Sequence, residues 1–225
     1  PEGLEYQTLS LATPRKGYKS VKWLFGKEIE IPEEWEWRKL ENITNKIGDG
    51  IHSTPKYVEH SEYYFINGNN LINGKITYSE NTKNVSKEEF LKYDLELNEN
   101  TILLSINGTI GNVAFYNNEK IVLGKSASYI ICNSDLNTIF LFYVLLSNFT
   151  KKYFSTQLTG TTISNLSLSS IRHMLFYLPP LSEQQKIANI LSNVDNLIES
   201  TDKVITNSKK VKKGLMQKLL TRGIG

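Results

Sequence analysis

The sequence predicts an α+β fold: a mixed, strand-rich domain followed by one long helix that packs along its length. Three observations carry that prediction. Short apolar runs broken by Asn-Gly turns fill the middle of the chain. A stretch from Asn137 to Phe154 is apolar nearly all round, as a buried helix would be. Residues 181–225 carry an apolar stripe at helical spacing.

Residues 1–22 show no clear period and read as an irregular lead-in, ahead of a domain over 23–180. Ile29 to Leu40 is Pro-punctuated and then alternates, with Trp35 and Trp37 on one side, as expected of an entry strand. Gly48 to Tyr57 (GDGIHSTPKY) has two glycines, a pre-proline Thr54 and short polar side chains, the composition of a loop. Three apolar runs then end in Asn-Gly: Tyr63 to Ile66 at Asn67-Gly68, Leu71-Ile72 at Asn73-Gly74, and Thr101 to Ile106 at Asn107-Gly108. Asn-Gly favours positive φ and tight hairpins; the unequal spacing argues against a repeat. Ser86 to Tyr93 is expected as a short helix, and Val113 to Tyr116 and Ser128 to Ile131 as strands. The Asn137–Phe154 helix ends with Lys151-Lys152, cations suited to a helix C-terminus. Gly160 to Asn165 is a polar loop, Met174 to Leu178 a last strand, and Pro179-Pro180 stops it.

The terminal helix is the clearest element. Ser182 with Gln185 three positions on predicts a capping box. With Ile187 at heptad position a, the a positions are Ile187, Val194, Thr201, Ser208 and Leu215; the d positions are Ile190, Leu197, Val204, Val211 and Lys218. A second stripe runs beside it at Leu191, Ile198, Ile205 and Leu219. From Glu183 to Leu220 such a helix spans roughly 57 Å, more than a domain of this size needs to cover its core. The excess predicts a partner helix from another chain, with these apolar residues as a dimer interface.

Composition bounds the function classes. Hydrophobic residues make up 40% of the 225, which supports a packed core rather than a disordered chain. Cys132 is the only cysteine, so no internal disulfide can form. No charged-then-apolar leader opens the sequence and Ile139 to Leu146 is too short to span a bilayer, so the expectation is a cytoplasmic protein with no membrane contact. The net charge of +3 is unevenly spread: residues 181–225 hold eight Lys/Arg against four Asp/Glu. Nucleic-acid binding would therefore need basic residues gathered on one face.

Catalytic signatures are missing. There is no GxxxxGK[ST] loop, and Gly108-Thr109-Ile110-Gly111 lacks GxGxxG spacing. HExxH, CxxC and EF-hand spacings are absent, so no metal or other cofactor is expected. No Asn/Asp-Pro-Pro-aromatic tetrad of the amino-methyltransferase kind occurs, and Asp94 and Glu96 have no lysine at nuclease-like spacing. His173 reads as structural rather than as a ligand, and Cys132 as core rather than nucleophile.

The segment Leu178 to Leu191 (LPPLSEQQKIANIL), with Asp195 and Ile198 beyond, resembles the conserved helix of type I restriction–modification specificity subunits. Upstream, Ile31-Pro32-Glu33 with Trp35 and Leu40 resembles the family's domain entry, and Gly48 to Tyr57 its Gly-x-Gly-x-x-x-x-Pro-x-Tyr loop. Gly108 to Gly111, Gly160 to Thr162 with Asn165-Leu166, and Lys210 to Leu220 also have counterparts, so the likeness covers residues 23–222. It implies a DNA target-recognition domain on a spacer helix, non-catalytic, that directs separate methyltransferase and ATP-dependent restriction subunits to a bipartite site. Full-length members carry two such domains and two helices paired antiparallel; this chain carries one of each. That implies pairing as an antiparallel coiled coil, here between two copies.

Base edges are read by Asn, Gln, Arg, Lys and Ser/Thr, and phosphates by Lys, Arg, hydroxyls and backbone N–H groups. Four polar loops supply candidates for contact with double-stranded DNA: His52, Ser53, Thr54, Lys56 and Tyr57; Asn67, Asn69 and Asn70; Lys125 and Ser126; Thr161, Thr162, Ser164 and Asn165. Each also has a plainer reading as turn chemistry. Two rival functions stay open: an enzyme with its own restriction or modification centre, and a coiled-coil adaptor or decoy with no direct DNA reading.

Overall fold

In a computed structural model of the chain, residues 14–22, 28–160 and 164–224 are described. In chain order the first strands are β1 (Tyr18–Lys22), β2 (Glu28–Pro32), β3 (Glu36–Lys39) and β4 (Thr44–Asp49). Then come β5 (Tyr57–Val58), β6 (Tyr63–Ile66), β7 (Leu71–Ile72), β8 (Lys75–Ile76), β9 (Lys83–Val85) and the helix α1 (Lys87–Lys92). The central strands are β10 (Thr101–Ser105), β11 (Val113–Phe115), β12 (Ile121–Leu123) and β13 (Ala127–Cys132). The chain closes with α2 (Thr138–Leu146), α3 (Asn148–Gln157), α4 (Leu168–Arg172), β14 (Leu175–Leu178) and α5 (Leu181–Arg222).

Among the described residues, two four-stranded sheets stand beside three two-stranded ones, β1-β2, β14-β3 and β7-β8. Of the four-stranded sheets one is antiparallel, in the order β11-β10-β13-β4; the other, β12-β6-β9-β5, is mixed, because β12 pairs with β6 in parallel. Every residue of β10 and β13 is buried. Alternation sends Ile102, Leu104 and Ile130 into one core, shared with α2, α4 and β14, and Leu103, Tyr129 and Ile131 into a second, shared with β6, β7 and β12. A strand buried on both faces needs apolar residues at consecutive positions, which is why Thr101 to Ile106 reads as a continuous apolar run.

Several expectations hold at residue resolution. The Ser86 hydroxyl accepts from Glu89 N at 3.3 Å and opens α1, as Ser at an N-cap does. Asn73 and Gly74, with φ of 50° and 79°, link β7 and β8 by the two-residue turn that Asn-Gly favours. Others change. The last five residues of the supposedly irregular lead-in form β1, antiparallel to β2. The single entry strand is two, broken at Glu33-Glu34. Trp35 and Trp37 consequently serve different partners: the Trp35 indole Nε1 donates to Glu183 at 2.9 Å, and the Trp37 ring lies 4.3 Å from that of Tyr177. Asn67-Gly68 opens a 3-10 turn instead of a hairpin.

The helix expected over Asn137–Phe154 is two helices. Ser147 takes extended backbone, its hydroxyl donates to Val144 O at 2.7 Å, and it accepts from Thr150 N at 3.2 Å, so it ends α2 and caps α3. Lys151 and Lys152 accordingly lie inside α3 rather than at a helix C-terminus.

The α5 entry also differs from expectation. Pro180 occupies the N-cap position and Ser182 is exposed inside the first turn. The anchor is Gln184, fully buried: its amide nitrogen donates to Asp135 O and Pro179 O, both at 2.9 Å, and its carbonyl oxygen accepts from Asn137 N at 2.8 Å. Gln184→Ala leaves three backbone groups without partners. We expect a loss of about 2–4 kcal/mol in urea unfolding; an unchanged midpoint would mean that water replaces the amide.

Candidate nucleic-acid interface and helix seam

The loop after β4 is held at both ends. Gly50 N donates to Ala127 O at 3.1 Å and Ile51 N to Leu123 O at 2.7 Å. Downstream, Pro55 is buried and the buried Glu89 carboxylate accepts from Lys56 N at 3.2 Å. Between these anchors His52, Ser53, Thr54 and Lys56 are exposed. The His52 ring Nε2 lies 2.8 Å from Asp49 Oδ2, and Ser53 Oγ 3.5 Å from the Tyr93 hydroxyl. The first loop is thus shorter than Gly48–Tyr57, because Gly48 and Asp49 belong to β4 and Tyr57 to β5.

The second and third loops are locked together. The Ser126 hydroxyl accepts from Gly68 N at 2.9 Å and donates to Asn67 Oδ1 at 3.0 Å. Asn70 is only 8% exposed: its Oδ1 accepts from Asn67 N, and its Nδ2 donates to Thr77 O and Thr82 Oγ1. Its amide is therefore engaged inside the protein and holds the turn that presents exposed Asn69. Lys125 is exposed beside Ser126.

In the fourth loop, Asn165 bridges to Asn107 and Thr159, and Gly108 N donates to Ser164 O at 3.4 Å. Ser164 is exposed, whereas Thr161 and Thr162 lie outside the described residues. Ile106 N donates to Ser126 O, and Leu166 N to Ile106 O, so the Asn107–Gly111 loop joins the third loop to the fourth. Gly108 and Gly111 have φ of 72° and 90°, values that suit glycine. All four predicted loops, with this fifth, are thus linked by hydrogen bonds around the ends of β6, β10 and β12.

Sequence reasoning missed two parts of this surface. Asn81 and Lys83, both exposed, line a polar cleft with Tyr57, Asn67 and Asn69. Thr109, whose hydroxyl lies 3.2 Å from Ser105 Oγ, sits in the joining loop, which its glycine pattern presented only as a weak nucleotide motif. No sequence signal marks Asn81 or Lys83, because what brings them to the cleft is the pairing of β9 with β6 and β5.

Among the described residues no group of three or more His, Cys, Asp or Glu could hold a metal ion. The His173 ring Nδ1 lies 2.9 Å from Ser169 O on its own turn, and Nε2 3.9 Å from Glu41. Cys132 is buried, and that burial pushes its thiol up to about 11. Because the folded value lies above the ordinary thiol value of 9.0, the stability it carries is complete below pH 9 and is lost as pH rises towards 11. Across that window the wild type should lose about 2–3 kcal/mol relative to Cys132→Ala, read from urea midpoints at each pH. Parallel pH profiles would refute it.

The long helix leaves the domain early. Ala188 is buried and Ile187 packs against the core, so Ile187, expected in the dimer seam, is in large part spent within the chain. The Tyr143 hydroxyl donates to Asp195 Oδ2 at 2.8 Å. From Asn193 to Arg222 every residue is exposed, including Val194, Leu197, Ile198, Val204, Ile205, Val211, Leu215 and Leu219. No helix among the described residues is long and apolar enough to cross a membrane.

A strand-rich domain whose polar loops are joined by hydrogen bonds, carried on a largely uncovered helix, defines the class: a loop-bearing α+β domain on one long helix. Residues 32–207 match the family described as type I restriction modification DNA specificity domain, and the chain belongs to that family. It is 33% identical over 205 residues to a type I restriction enzyme MjaX specificity subunit of Methanocaldococcus jannaschii, covering 87% of this chain and 47% of that protein. The MjaVIII specificity subunit of the same organism is 30% identical, with coverage of 87% and 44%. Among solved structures, the fold is similar to the S subunit of a type I restriction–modification system from M. genitalium (TM-score 0.55, 21% identity, 84% of this chain and 47% of that one). It is also similar to the HsdS subunit from Thermoanaerobacter tengcongensis (TM-score 0.59, 15% identity, 93% and 49%). The chain spans about half the length of the relatives it matches.

Proposed function

We propose that the chain is a sequence-specific DNA-recognition subunit of a type I restriction–modification system, without a catalytic centre of its own. It directs separate methyltransferase and ATP-dependent restriction subunits to a bipartite site. The observation that carries this reading, beside family membership, is the joining of the polar loops into one surface. On it the exposed His52, Ser53, Thr54, Lys56, Tyr57, Asn69, Lys125 and Ser164, with Asn81 and Lys83, face outward. Asn67, Ser126 and Asn165 are tied into the loop framework and Asn70 is scaffold. Lysines on such a surface hold phosphates and set register, while Asn, Ser and Thr read base edges.

Two copies paired antiparallel through α5 would set two domains at a fixed separation. A helix of roughly 57 Å suits half-sites one DNA turn of about 34 Å apart or slightly more. The homodimer would then read an interrupted palindrome. The test is DNA-site selection with the purified chain, with and without methyltransferase subunits. Enrichment of one interrupted palindrome, with binding that weakens steeply with salt, is the expected result. Selection of no sequence in either arm would overturn the reading and favour an adaptor without a DNA role.

A further inference from the structure

One polar cleft opens among the joined loops. Tyr57, Phe65, Asn67, Asn69, Asn81 and Lys83 line it, and its volume is about 110 Å³. Small-molecule sites begin at roughly 300 Å³. The cleft is therefore too small for a whole nucleotide and has room for the edge of one base.

Its floor is saturated. Asn70 spends its side-chain amide on Asn67 N, Thr77 O and Thr82 Oγ1. Thr82 Oγ1 also accepts from Ser79 N at 2.8 Å, and Asn67 Oδ1 accepts from the Ser126 hydroxyl at 3.0 Å. Gly124 packs closely there: a Cβ on it would stand 2.3 Å from Asn67 Oδ1 and 2.7 Å from Phe65 Cζ. Thr82 N donates to Ser79 O at 2.9 Å and closes the turn that carries Asn81. The turn is thus fixed before any ligand arrives.

The walls are not saturated. Asn69, Asn81 and Lys83 are exposed, and among the described residues their side chains make no hydrogen bond or ion pair. Lys83 is out of keeping with its place. It belongs to β9, an interior strand of its sheet, opposite Phe65 and two residues from buried Val85, whose face it shares. Lysine is depleted in strands, and no carboxylate answers this one.

Both purines present N7 as an acceptor in the major groove; beside it, guanine O6 accepts and the adenine amino group donates. An ammonium and an amide lining one cleft match that pair of groups. The ammonium can donate to N7, and the amide, which both donates and accepts, can meet either group at position 6. A phosphate offers acceptors only and would leave the Asn81 carbonyl oxygen unmatched.

We propose that this cleft receives the major-groove edge of one purine in the DNA site, with the Lys83 ammonium on N7 and the Asn81 amide on the group at position 6. The proposal rests on the DNA-recognition reading above and deepens it, because these two side chains set one base of the site. Lys56 and Lys125 lie outside the cleft, and phosphate contacts fall to them.

The experiment runs DNA-site selection on the full chain with methyltransferase subunits, as wild type, Lys83→Met, Asn81→Ala and, for a phosphate contact, Lys125→Gln. 7-Deazapurines, which carry C–H in place of N7, then replace the purines of the selected site one at a time. Both cleft side chains are exposed, so the fold stands without them. One such replacement is expected to weaken wild-type binding about fivefold or more and to leave Lys83→Met unchanged. At the same position Asn81→Ala should accept both purines. Lys125→Gln should weaken all sequences alike and lower the slope of log K against log salt by about 0.9. If Lys83→Met behaves as Lys125→Gln does, or if no 7-deazapurine separates it from wild type, purine reading by the cleft is overturned and DNA recognition stands. A wild type that selects no sequence overturns both.

Discussion

Ile190→Glu together with Leu197→Glu is expected to turn a dimer into a monomer with the domain intact. Both side chains are more than half exposed in the single chain, at 63% and 67%, so a carboxylate there costs the monomer little. In a paired seam the same positions are desolvated. Each copy would lose two large aliphatic contacts worth about 1.5–3 kcal/mol apiece and would bury charge in their place. Counting both copies, the dissociation constant should rise by more than about 1000-fold. Sedimentation equilibrium reads the change, and an unaltered thermal transition at low concentration shows that the domain survives. A dimer that persists would place the seam on another face of α5. Ile187 is the wrong residue for this test, because it also supports the domain core, and its loss would confound folding with association.

Gly50→Ala should be the most damaging single methyl in the domain. A Cβ at Gly50 would stand 2.1 Å from Leu123 O and 2.2 Å from Leu123 C. Both are backbone atoms of β12, which is tied in parallel to β6 and cannot swing aside as a side chain would. Relief requires the strand or the loop root to move. That would break the bonds from Gly50 N to Ala127 O and from Ile51 N to Leu123 O, which fix the loop bearing His52 to Lys56. A loss of about 3 kcal/mol or more is expected in urea unfolding, because overpacking against main chain is not relieved by a rotamer change. If the variant folds, its His52–Lys56 loop should exchange backbone amides faster than in the wild type. Wild-type stability in Gly50→Ala would mean that the loop root is compliant. Gly108→Ala is the useful contrast: no atom crowds its Cβ position, and only the positive φ opposes a side chain there.

How much of this was legible beforehand depended on the range of the interaction involved. The Ser86 cap of α1 and the Asn73-Gly74 turn are fixed by bonds and dihedrals within a few residues, and the sequence marks them correctly. The break at Ser147 is also local, but the run around it is so apolar that periodicity gave no sign of two helices. Ser182 fits a capping box in pattern, yet the helix starts two residues earlier, with Pro180 at its N-cap, because Gln184 is drawn into the domain by Asp135 and Asn137. The loop residues divide in the same way. Asn69 and Asn70 are indistinguishable as letters, and only the fold turns one outward and closes the other on Thr77 and Thr82.

By itself, then, the sequence determined the α+β class and the long α5 with its stripe. The stripe follows from residue periodicity, which the 3.6-residue repeat of the helix converts directly into a face. Tertiary structure alone decided that the separate loops meet at one surface, that Asn81 and Lys83 join them, and that Ile187 belongs in large part to the domain. Such facts depend on which distant backbone segments exchange hydrogen bonds, as Gly68 does with Ser126 and Gly108 with Ser164, and no local pattern encodes a partner more than fifty residues away.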